Sequence, residues 1–339
     1  MSADGPLKTC LVGLGWWGRQ LCGEADGTDV LEITSSVDPS AESAAFARAR
    51  NIPHFATLGE ALNGDTAIDA VMIATPHSLH EEQCLLALAH GKPVFCEKPL
   101  TLTAAGAQRI VDAAADKALV LGIGHERRFE AGFEALAGLI AAGSLGRVIF
   151  IDANVSHNLM LRAKPGDWRL SGHEAPAGLW TGTGIHLSDL IIASCGAPEG
   201  VRLELLSTSD NFSGQELVRV DLKMASGVHA TVTALACTPY YGRYTVFGDL
   251  GWAELVTLAN VDGGQDAILT VSQANGVREE RRIAPSPAIR TNLELWARAA
   301  LGRGSYPIKP DQMVLNTAVL EAIARAGGRA APYASIPTG

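Results

Sequence analysis

The sequence predicts an α/β fold: an N-terminal doubly wound parallel sheet, followed by an α+β domain with a large, mostly antiparallel open sheet. Three observations lead to this prediction. A glycine motif stands directly behind the first apolar run, apolar runs alternate with Ala-rich stretches as far as residue 124, and strands then follow one another. A chain of 339 residues is longer than one core usually supports. We therefore predict two domains, 1–125 and 126–339.

The parallel sheet is predicted from five short apolar runs that are typical of buried strands. Their expected bounds are Thr9–Val12, Ile33–Val37, Ala70–Ala74, Val94–Cys96 and Leu119–Ile123. Ala-rich segments separate these runs, and the clearest helices among them are Ala41–Arg50, Leu79–His90 and Ala104–Ala115. This alternation of strand and helix is typical of a doubly wound sheet.

The second domain is expected to begin with a helix over Gly132–Ala142, which Gly143 ends. Strands then follow with no helix-length insert between most of them. They are Arg147–Val155, Arg202–Ser207, Leu217–Met224, Val228–Ala236, Tyr244–Phe247 and Ala253–Thr257. Such a succession favours antiparallel pairing. Two final helices, Leu293–Ala300 and Met313–Ala326, are expected to return and cover a core.

The first apolar run leads into Gly13-Leu14-Gly15-Trp16-Trp17-Gly18, a G-x-G-x-x-G motif. In a Rossmann dinucleotide-binding domain the first glycine permits the tight turn, the second lets backbone approach a pyrophosphate, and the third allows close helix packing. The phosphates then lie at a helix N-terminus. We assign these residues to cofactor binding: Gly13, Gly15, Trp16, Trp17 and Gly18.

The second apolar run ends in Asp38, twenty residues after Gly18. An acid at this distance accepts hydrogen bonds from the adenine ribose, and its charge repels the 2′-phosphate of NADP. The cofactor prediction is therefore NAD in preference to NADP. Asp38 stands before Pro39, so it is also a good turn and helix-capping residue, and that role remains open.

Composition favours a soluble enzyme. The 27 basic and 36 acidic residues give a net charge of −9, which argues against a nucleic-acid partner or an anionic membrane surface. The first ten residues lack the charged-then-apolar pattern of a signal peptide, and no apolar stretch is long enough to span a bilayer. We expect a cytoplasmic protein.

The cysteines do not indicate disulfides or a metal site. Six cysteines are scattered without a C-x-x-C pair, and most lie in apolar runs, where a reduced thiol packs as a small hydrophobic group. Gly124-His125-Glu126 is similar to the G-H-E segment of zinc alcohol dehydrogenases, but no cysteine cluster accompanies it. No metal is predicted.

Polar residues follow two strands late in the predicted parallel sheet. In an open α/β sheet, residues just beyond the strand C-termini line the ligand crevice. This aims the Lys98 side chain at the reactive end of the cofactor. The further residues that we assign to cofactor binding from these two turns are Thr75, Pro76, His77, His80, Glu97 and Lys98.

Three motifs in this order carry a family resemblance: the early glycine motif, Glu97-Lys98-Pro99, and Gly184-Ile185-His186-Leu187-Ser188-Asp189. Together they resemble the Gfo/Idh/MocA oxidoreductases, the family of glucose–fructose oxidoreductase and inositol dehydrogenase. The resemblance covers nearly the whole chain. It implies a Rossmann domain and an α/β domain whose open sheet forms one wall of the active site and commonly the subunit interface. A homodimer or homotetramer is therefore expected.

The resemblance also implies catalytic roles for Lys98 and His186. In family members the lysine contacts substrate and nicotinamide ribose, and the histidine helps remove the hydroxyl proton. Oxidation of a secondary alcohol needs such a base near neutral pKa, while the hydride moves to nicotinamide C4. Substrate contacts are assigned to Arg127, His157, Trp168, Arg169 and Thr183.

One departure from the family pattern concerns the residue four positions before the histidine. Many members have an aspartate there, whereas this chain has Gly182. Asp189 or Glu174 could take its part, Lys98 could carry more of the proton transfer, or the substrate could differ. A basic loop precedes this segment and is either solvated or binds a carboxylate. Its residues are Arg162, Lys164, Trp168 and Arg169.

The expected function is NAD-dependent hydride transfer between nicotinamide and a secondary hydroxyl of a polyol, sugar or sugar acid. An alternative within the same chemistry is dehydrogenation of a carboxylated cis-dihydrodiol from aromatic breakdown. A non-catalytic NAD-binding regulator is an alternative of another class. A further one is a glycosidase-like enzyme that oxidises and then re-reduces one sugar carbon.

Overall fold

The structure, a computed structural model, describes residues 5–64, 66–158, 167–206, 217–260 and 263–326, with backbone only at Arg169 and Leu206. The chain forms two compact units. The first comprises Met1–Ala131 and Ser286–Ala318, and the second comprises Gly132–Pro285 and Val319–Gly339. These bounds differ from a single division after residue 125, because a C-terminal segment returns to the first unit.

The first unit contains a six-stranded sheet in the order β3-β2-β1-β4-β5-β6, and every neighbouring pair is parallel. This confirms the predicted doubly wound sheet. The short strand β3 was not predicted, since two residues carry no periodicity. The strands are β1 (Leu7–Val12), β2 (Leu31–Val37), β3 (His54–Phe55), β4 (Ala70–Ile73), β5 (Val94–Cys96) and β6 (Leu121–Ile123).

Helices connect the strands of the first unit, and side-chain caps fix where several of them begin. Thr57 and Glu60 form a capping box at the start of α3, and the Thr103 hydroxyl accepts a hydrogen bond from the Gly106 N–H at the start of α5. The helices are α1 (Trp16–Ala25), α2 (Ala41–Ala49), α3 (Leu58–Asn63), α4 (His80–Ala89) and α5 (Ala104–Asp116).

Helix α8 (Ala288–Ala300) belongs to the first unit because its apolar face packs on the parallel sheet. Trp296 is fully buried, and its ring centroid lies 5.5 Å from that of Phe95 on β5. The lack of a side chain at Gly122 makes room for it, since a Cβ there would lie 2.6 Å from the Trp296 ring. The sequence showed an amphipathic helix here but not which sheet it covers.

The second unit contains an eight-stranded sheet in the order β14-β13-β12-β11-β7-β10-β9-β8. Its pairs are antiparallel except for β7 with β10, which confirms a mostly antiparallel sheet. The strands are β7 (Val148–Ser156), β8 (Pro198–Leu206), β9 (Leu217–Met224), β10 (His229–Leu235), β11 (Tyr241–Gly248), β12 (Gly251–Thr257), β13 (Ala267–Gln273) and β14 (Arg278–Ile283). The hairpin of β13 and β14 was not predicted.

Helices α6 (Ala131–Ala141) and α7 (Ile185–Cys195) pack on one face of this sheet. The ring of Phe133 on α6 meets Tyr244 of β11 edge to face, with centroids 5.7 Å apart. Helix α9 (Pro310–Ala326) begins in the first unit and ends in the second. No helix among the described residues is long and apolar enough to cross a membrane, and the cytoplasmic location stays a prediction.

Candidate active site

The glycine motif forms the turn between β1 and α1 in the first unit. Gly13 has a φ of +92°, and a Cβ there would lie 2.6 Å from the Ala74 carbonyl oxygen. At Gly18 a Cβ would lie 2.0 Å from the Gly13 carbonyl oxygen, so the helix can approach the turn only through glycine. Gly15 precedes the first turn of α1, and nothing lies within 4 Å of where its Cβ would be. This open helix N-terminus has the shape and polarity that a pyrophosphate requires.

Asp38 lies at the end of β2, beside this turn. Its carboxylate accepts hydrogen bonds from the backbone N–H groups of Leu14 and Ser40, each at 2.9 Å. Burial raises the pKa of the Asp38 carboxyl, but these hydrogen bonds outweigh burial and the net pKa is lowered. The Ser40 side chain, not Asp38, caps helix α2. Asp38 is therefore an ionised acceptor held against the glycine turn, which suits contact with ribose hydroxyls.

The turn after β4 is held to the turn after β5 by His80. Its Nδ1 lies 2.8 Å from the Pro99 carbonyl oxygen and its Nε2 lies 3.0 Å from the Thr75 carbonyl oxygen. The His80 ring has no exposed surface, so in this structure it links the backbones of the two turns from the protein interior. Thr75 donates a hydrogen bond to Gln83, and Pro76 and His77 open the short helical turn between β4 and α4.

Lys98 follows β5 and is half-buried, with a cis peptide bond to Pro99. The preceding Glu97 is 5% exposed. Burial raises the pKa of the Glu97 carboxyl. The Lys98 ammonium and the Trp17 indole N–H oppose this shift, but burial outweighs them and the net pKa is raised. Trp17 is half-buried at the start of α1, whereas Trp16 beside it is 59% exposed. The Trp17 indole at the start of α1 therefore lies near enough to Glu97 to influence the pKa of its carboxyl.

Glu126 is a residue of this site that the sequence interpretation did not single out. It follows β6 and is 4% exposed. Burial and the nearby Glu97 carboxylate raise the pKa of Glu126 to about 8, against the opposing charges of Lys98 and Arg127. The signal was present in the sequence: Glu97 and Glu126 follow neighbouring parallel strands, whose carboxyl ends share one edge of the sheet.

Arg127, assigned to the substrate from the sequence, is 3% exposed in the first unit, and its Nη1 lies 3.3 Å from Glu130 Oε1. Burial raises the pKa of the Glu130 carboxyl and the Arg127 charge opposes this. The Arg127 guanidinium is therefore engaged with a buried acid, and its contact with substrate stays a prediction.

His186 lies in the second unit, in the first turn of α7, and is 5% exposed. A π-helical segment, Trp180–Gly184, leads directly into α7. π-helical insertions are frequent at functional sites. On this segment the Thr183 hydroxyl lies 2.9 Å from Nε2 of His157, which follows β7. The structure thus brings together two of the predicted substrate residues, His157 and Thr183, and Thr183 lies three residues before the predicted base, His186.

Trp168 lies beside Gly182. A Cβ at Gly182 would be 3.7 Å from the Trp168 Cη2 atom, an ordinary van der Waals contact, so the backbone has room for a larger residue there. Glycine at this position is therefore not forced by packing. The side chain of Arg169, together with Arg162 and Lys164, lies outside the described residues.

Comparison with known proteins agrees with this architecture. A family model described as an oxidoreductase family with an NAD-binding Rossmann fold matches residues 7–125, and a GFO/IDH/MocA C-terminal domain model matches residues 133–254. The crystal structure of aldose-aldose oxidoreductase from Caulobacter crescentus, complexed with glycerol, has a TM-score of 0.83 at 24% identity. That match covers 96% of this chain and 98% of the other, and it shows a shared fold.

Two curated proteins illustrate the sequence relationship. The 1,5-anhydro-D-fructose reductase of Ensifer adhaerens is 38% identical over 161 residues, which are 47% of this chain and 48% of that protein. The inositol 2-dehydrogenase of Acidothermus cellulolyticus is 38% identical over 165 residues, 46% of each chain. The chain therefore aligns with about half the length of the curated relatives that it matches.

The buried acid at position 126 predicts a pH-dependent stability. Between pH 4.5, the ordinary value, and about 8, folded Glu126 retains a proton that the unfolded chain has lost, so folding stability falls as pH rises. Glu126→Gln removes this proton linkage. We expect the free energy of unfolding of the variant, relative to wild type, to increase by a few kcal/mol between pH 4.5 and about pH 8, measured by urea denaturation.

The exposed Glu82→Gln is the control, since that side chain faces water in both the folded and the unfolded chain. Its stability should follow wild type at every pH. Parallel stability curves for Glu126→Gln and wild type would show that Glu126 is not a buried, protonated acid.

Proposed function

The chain belongs to the Gfo/Idh/MocA oxidoreductase family, and we propose that it is an NAD-dependent oxidoreductase acting on a secondary hydroxyl of a polyol, sugar or sugar acid. The observation that carries this proposal is that the glycine turn and the Lys98 turn lie at the same edge of the parallel sheet. An open helix N-terminus suits the pyrophosphate, Asp38 suits the adenine ribose, and Lys98 follows β5, two strands from β1 in the same sheet.

Bound NAD would supply the hydride acceptor, at nicotinamide C4. The chain's own residues would hold the substrate and move the hydroxyl proton. Lys98 would hydrogen-bond the reacting hydroxyl and, when neutral, accept its proton. His186, buried at the start of α7, would act as the general base for the hydroxyl proton. His157 and Thr183, hydrogen-bonded to each other, would orient the substrate.

The assay is reduction of NAD, followed by absorbance, with polyols, sugars and sugar acids and with carboxylated dihydrodiols. We expect turnover of a substrate with vicinal hydroxyls. Lys98→Met and His186→Asn should each lower kcat by about 100-fold or more, the range of general acid–base catalysis. Calorimetry should show that His186→Asn still binds NAD like wild type, because this residue belongs to the other unit.

Lys117→Met and His90→Asn are matched controls. Both are exposed residues that contact backbone carbonyls remote from the candidate site, so their kcat should stay at the wild-type value. Tight NAD binding without turnover of any alcohol would contradict the proposal and favour a regulator. Product formation without net NADH would favour a glycosidase-like reaction with transient oxidation.

The side chain of Trp168 beside Gly182 supports keeping dihydrodiols in the panel. An aromatic surface beside Gly182, four residues before His186, suits a flat carbocycle as well as the C–H face of a sugar ring. Turnover of dihydrodiols alone would replace the sugar assignment and leave the cofactor and the two catalytic residues unchanged.

The choice of NAD depends on Asp38. Its ionised carboxylate would accept hydrogen bonds from the ribose hydroxyls of NAD and repel the 2′-phosphate of NADP. We expect Asp38→Asn to weaken NAD binding by about tenfold or more, the loss of a charge-assisted hydrogen bond, and to narrow the preference over NADP. Isothermal titration with both dinucleotides measures the two effects.

Asp29→Asn, an exposed aspartate before β2, is the control and should bind both dinucleotides as wild type does. Equal affinity of wild type for NAD and NADP would contradict the assigned preference.

We further propose that the protein is a homodimer or homotetramer built on the open face of the eight-stranded sheet. On that face the rings of Phe150 and Phe247 stack with centroids 6.1 Å apart, and Phe247 is 37% exposed. Arg243 pairs with Asp152 on the same strands, β11 and β7. An apolar patch beside satisfied charges is typical of a subunit interface.

Light scattering should give two or four times the chain mass of 35.5 kDa. Phe247→Asp should shift the protein towards a monomer, because it places a charge within the buried contact. Leu79→Asp, at an exposed apolar residue of the first unit, should leave the mass unchanged. A monomeric wild type at micromolar concentration would contradict the proposal.

A further inference from the structure

We propose that Glu126 is a positioning residue for Lys98: with Glu97 it forms a buried pair of carboxyl groups that sets the charge of the Lys98 side chain. The inference deepens the proposed function, because the charge of Lys98 decides whether it can accept a proton. It does not depend on which substrate is used.

The backbone geometry brings the Glu97 carboxyl to the segment that carries Glu126. Cys96 at the end of β5 pairs with Ile123 at the end of β6, and the Gly124 N–H donates to the Cys96 carbonyl at 2.9 Å. A Cβ at Gly124 would lie 2.4 Å from Glu97 Oε2, so the Glu97 carboxyl rests directly on the Gly124 backbone. Glu126 follows only two residues later. The absence of a side chain at position 124 is what admits the Glu97 carboxyl to this position.

The segment that leads to Glu126 is anchored by later parts of the chain. Asn292 of α8 donates to the Ile123 carbonyl at 2.9 Å, and the Tyr306 hydroxyl donates to the same oxygen at 3.1 Å. Asn316 of α9 lies 3.1 Å from Nε2 of His125. These hydrogen bonds fix the three residues before Glu126 against α8 and α9.

The charges that face Glu126 come from both neighbouring turns. They are Glu97 and Lys98 after β5 and Arg127 beside Glu126 itself, and the Trp17 indole N–H lowers the pKa of Glu97. Two carboxyl groups at less than 6% exposure cannot both ionise at low cost. One of them retains a proton near neutral pH, so Lys98 faces about one negative charge instead of two.

The retained proton has a consequence for Lys98. Each buried carboxylate stabilises the Lys98 ammonium, and a second ionised carboxylate would keep that ammonium charged to higher pH. The protonated Glu126 leaves Lys98 easier to deprotonate, so that it can accept a hydroxyl proton. As Glu126 ionises in more alkaline solution, it again favours the ammonium.

The test measures the titration of Lys98 directly. The half-buried amine is labelled with acetic anhydride across a pH series, and acetylation at Lys98 is quantified by peptide mass spectrometry. In Glu126→Gln no carboxylate can form at this position, so the midpoint of Lys98 labelling should fall by about one pH unit. Glu126→Asp retains a carboxyl and should return the midpoint towards wild type.

A second readout uses catalysis. The pH midpoint of kcat in Glu126→Gln should move with the labelling midpoint, while KM at optimal pH stays near wild type. Glu130→Gln is the matched control: this carboxyl is partly buried, at 18% exposed, but the charge that acts on it is Arg127, so the Lys98 midpoint should stay in place. If Glu126→Gln does not fold, Glu97→Gln should lower the labelling midpoint in the same way.

The outcomes separate this inference from the proposed function. A labelling midpoint that is unchanged in Glu126→Gln, or an equal shift in Glu130→Gln, overturns the inference even where alcohols are oxidised normally. A shifted midpoint in a protein that oxidises no alcohol supports the inference and contradicts the proposed function.

Discussion

Parallel pairing of β1, β4, β5 and β6 is the constraint on which the candidate site depends. Parallel strands carry all their C-terminal turns to one edge, so the glycine turn, the Thr75 turn, the Lys98 turn and the Glu126 turn become neighbours. Each turn then supplies one function. The glycine turn supplies backbone N–H groups, and the Thr75 turn is held by the buried His80. The Lys98 and Glu126 turns supply titratable side chains.

Two acidic side chains at that edge, Glu97 and Glu126, are buried, which changes their chemistry. Glu97 and Glu126 would be ordinary carboxylates in water, but burial disfavours their charged forms and makes each sensitive to the other. A cation placed beside them responds to the number of protons the pair retains. Ionisation of Glu126 therefore lowers the folding stability and at the same time stabilises the charged form of Lys98, since both effects depend on the burial of Glu126.

The sequence predicted those features of the fold that depend on local residue patterns. Apolar runs of three to five residues predicted five of the six strands of the first sheet, and the glycine motif located the turn before α1. It did not predict the contact between Trp296 and Phe95, because helical periodicity shows that a face is buried but not against what. The strand β14, Arg-Glu-Glu-Arg-Arg-Ile, is charged and exposed, so it carries no alternation to detect. Glu126 was missed because burial of an acid is a tertiary property.

The replacement of an acid by Gly182 acquires a structural meaning in the second unit. Glycine is not required there for packing, since the nearest atom to a Cβ would be Trp168 Cη2 at 3.7 Å. The acid on α7 is Asp189, three residues after His186 and 1% exposed, so its carboxyl lies in the interior of the second unit. Glu174 instead precedes the π-helical segment. Glycine at position 182 therefore leaves the indole of Trp168 with no side chain beside it from that position, and an aromatic surface of this kind suits the C–H face of a ring.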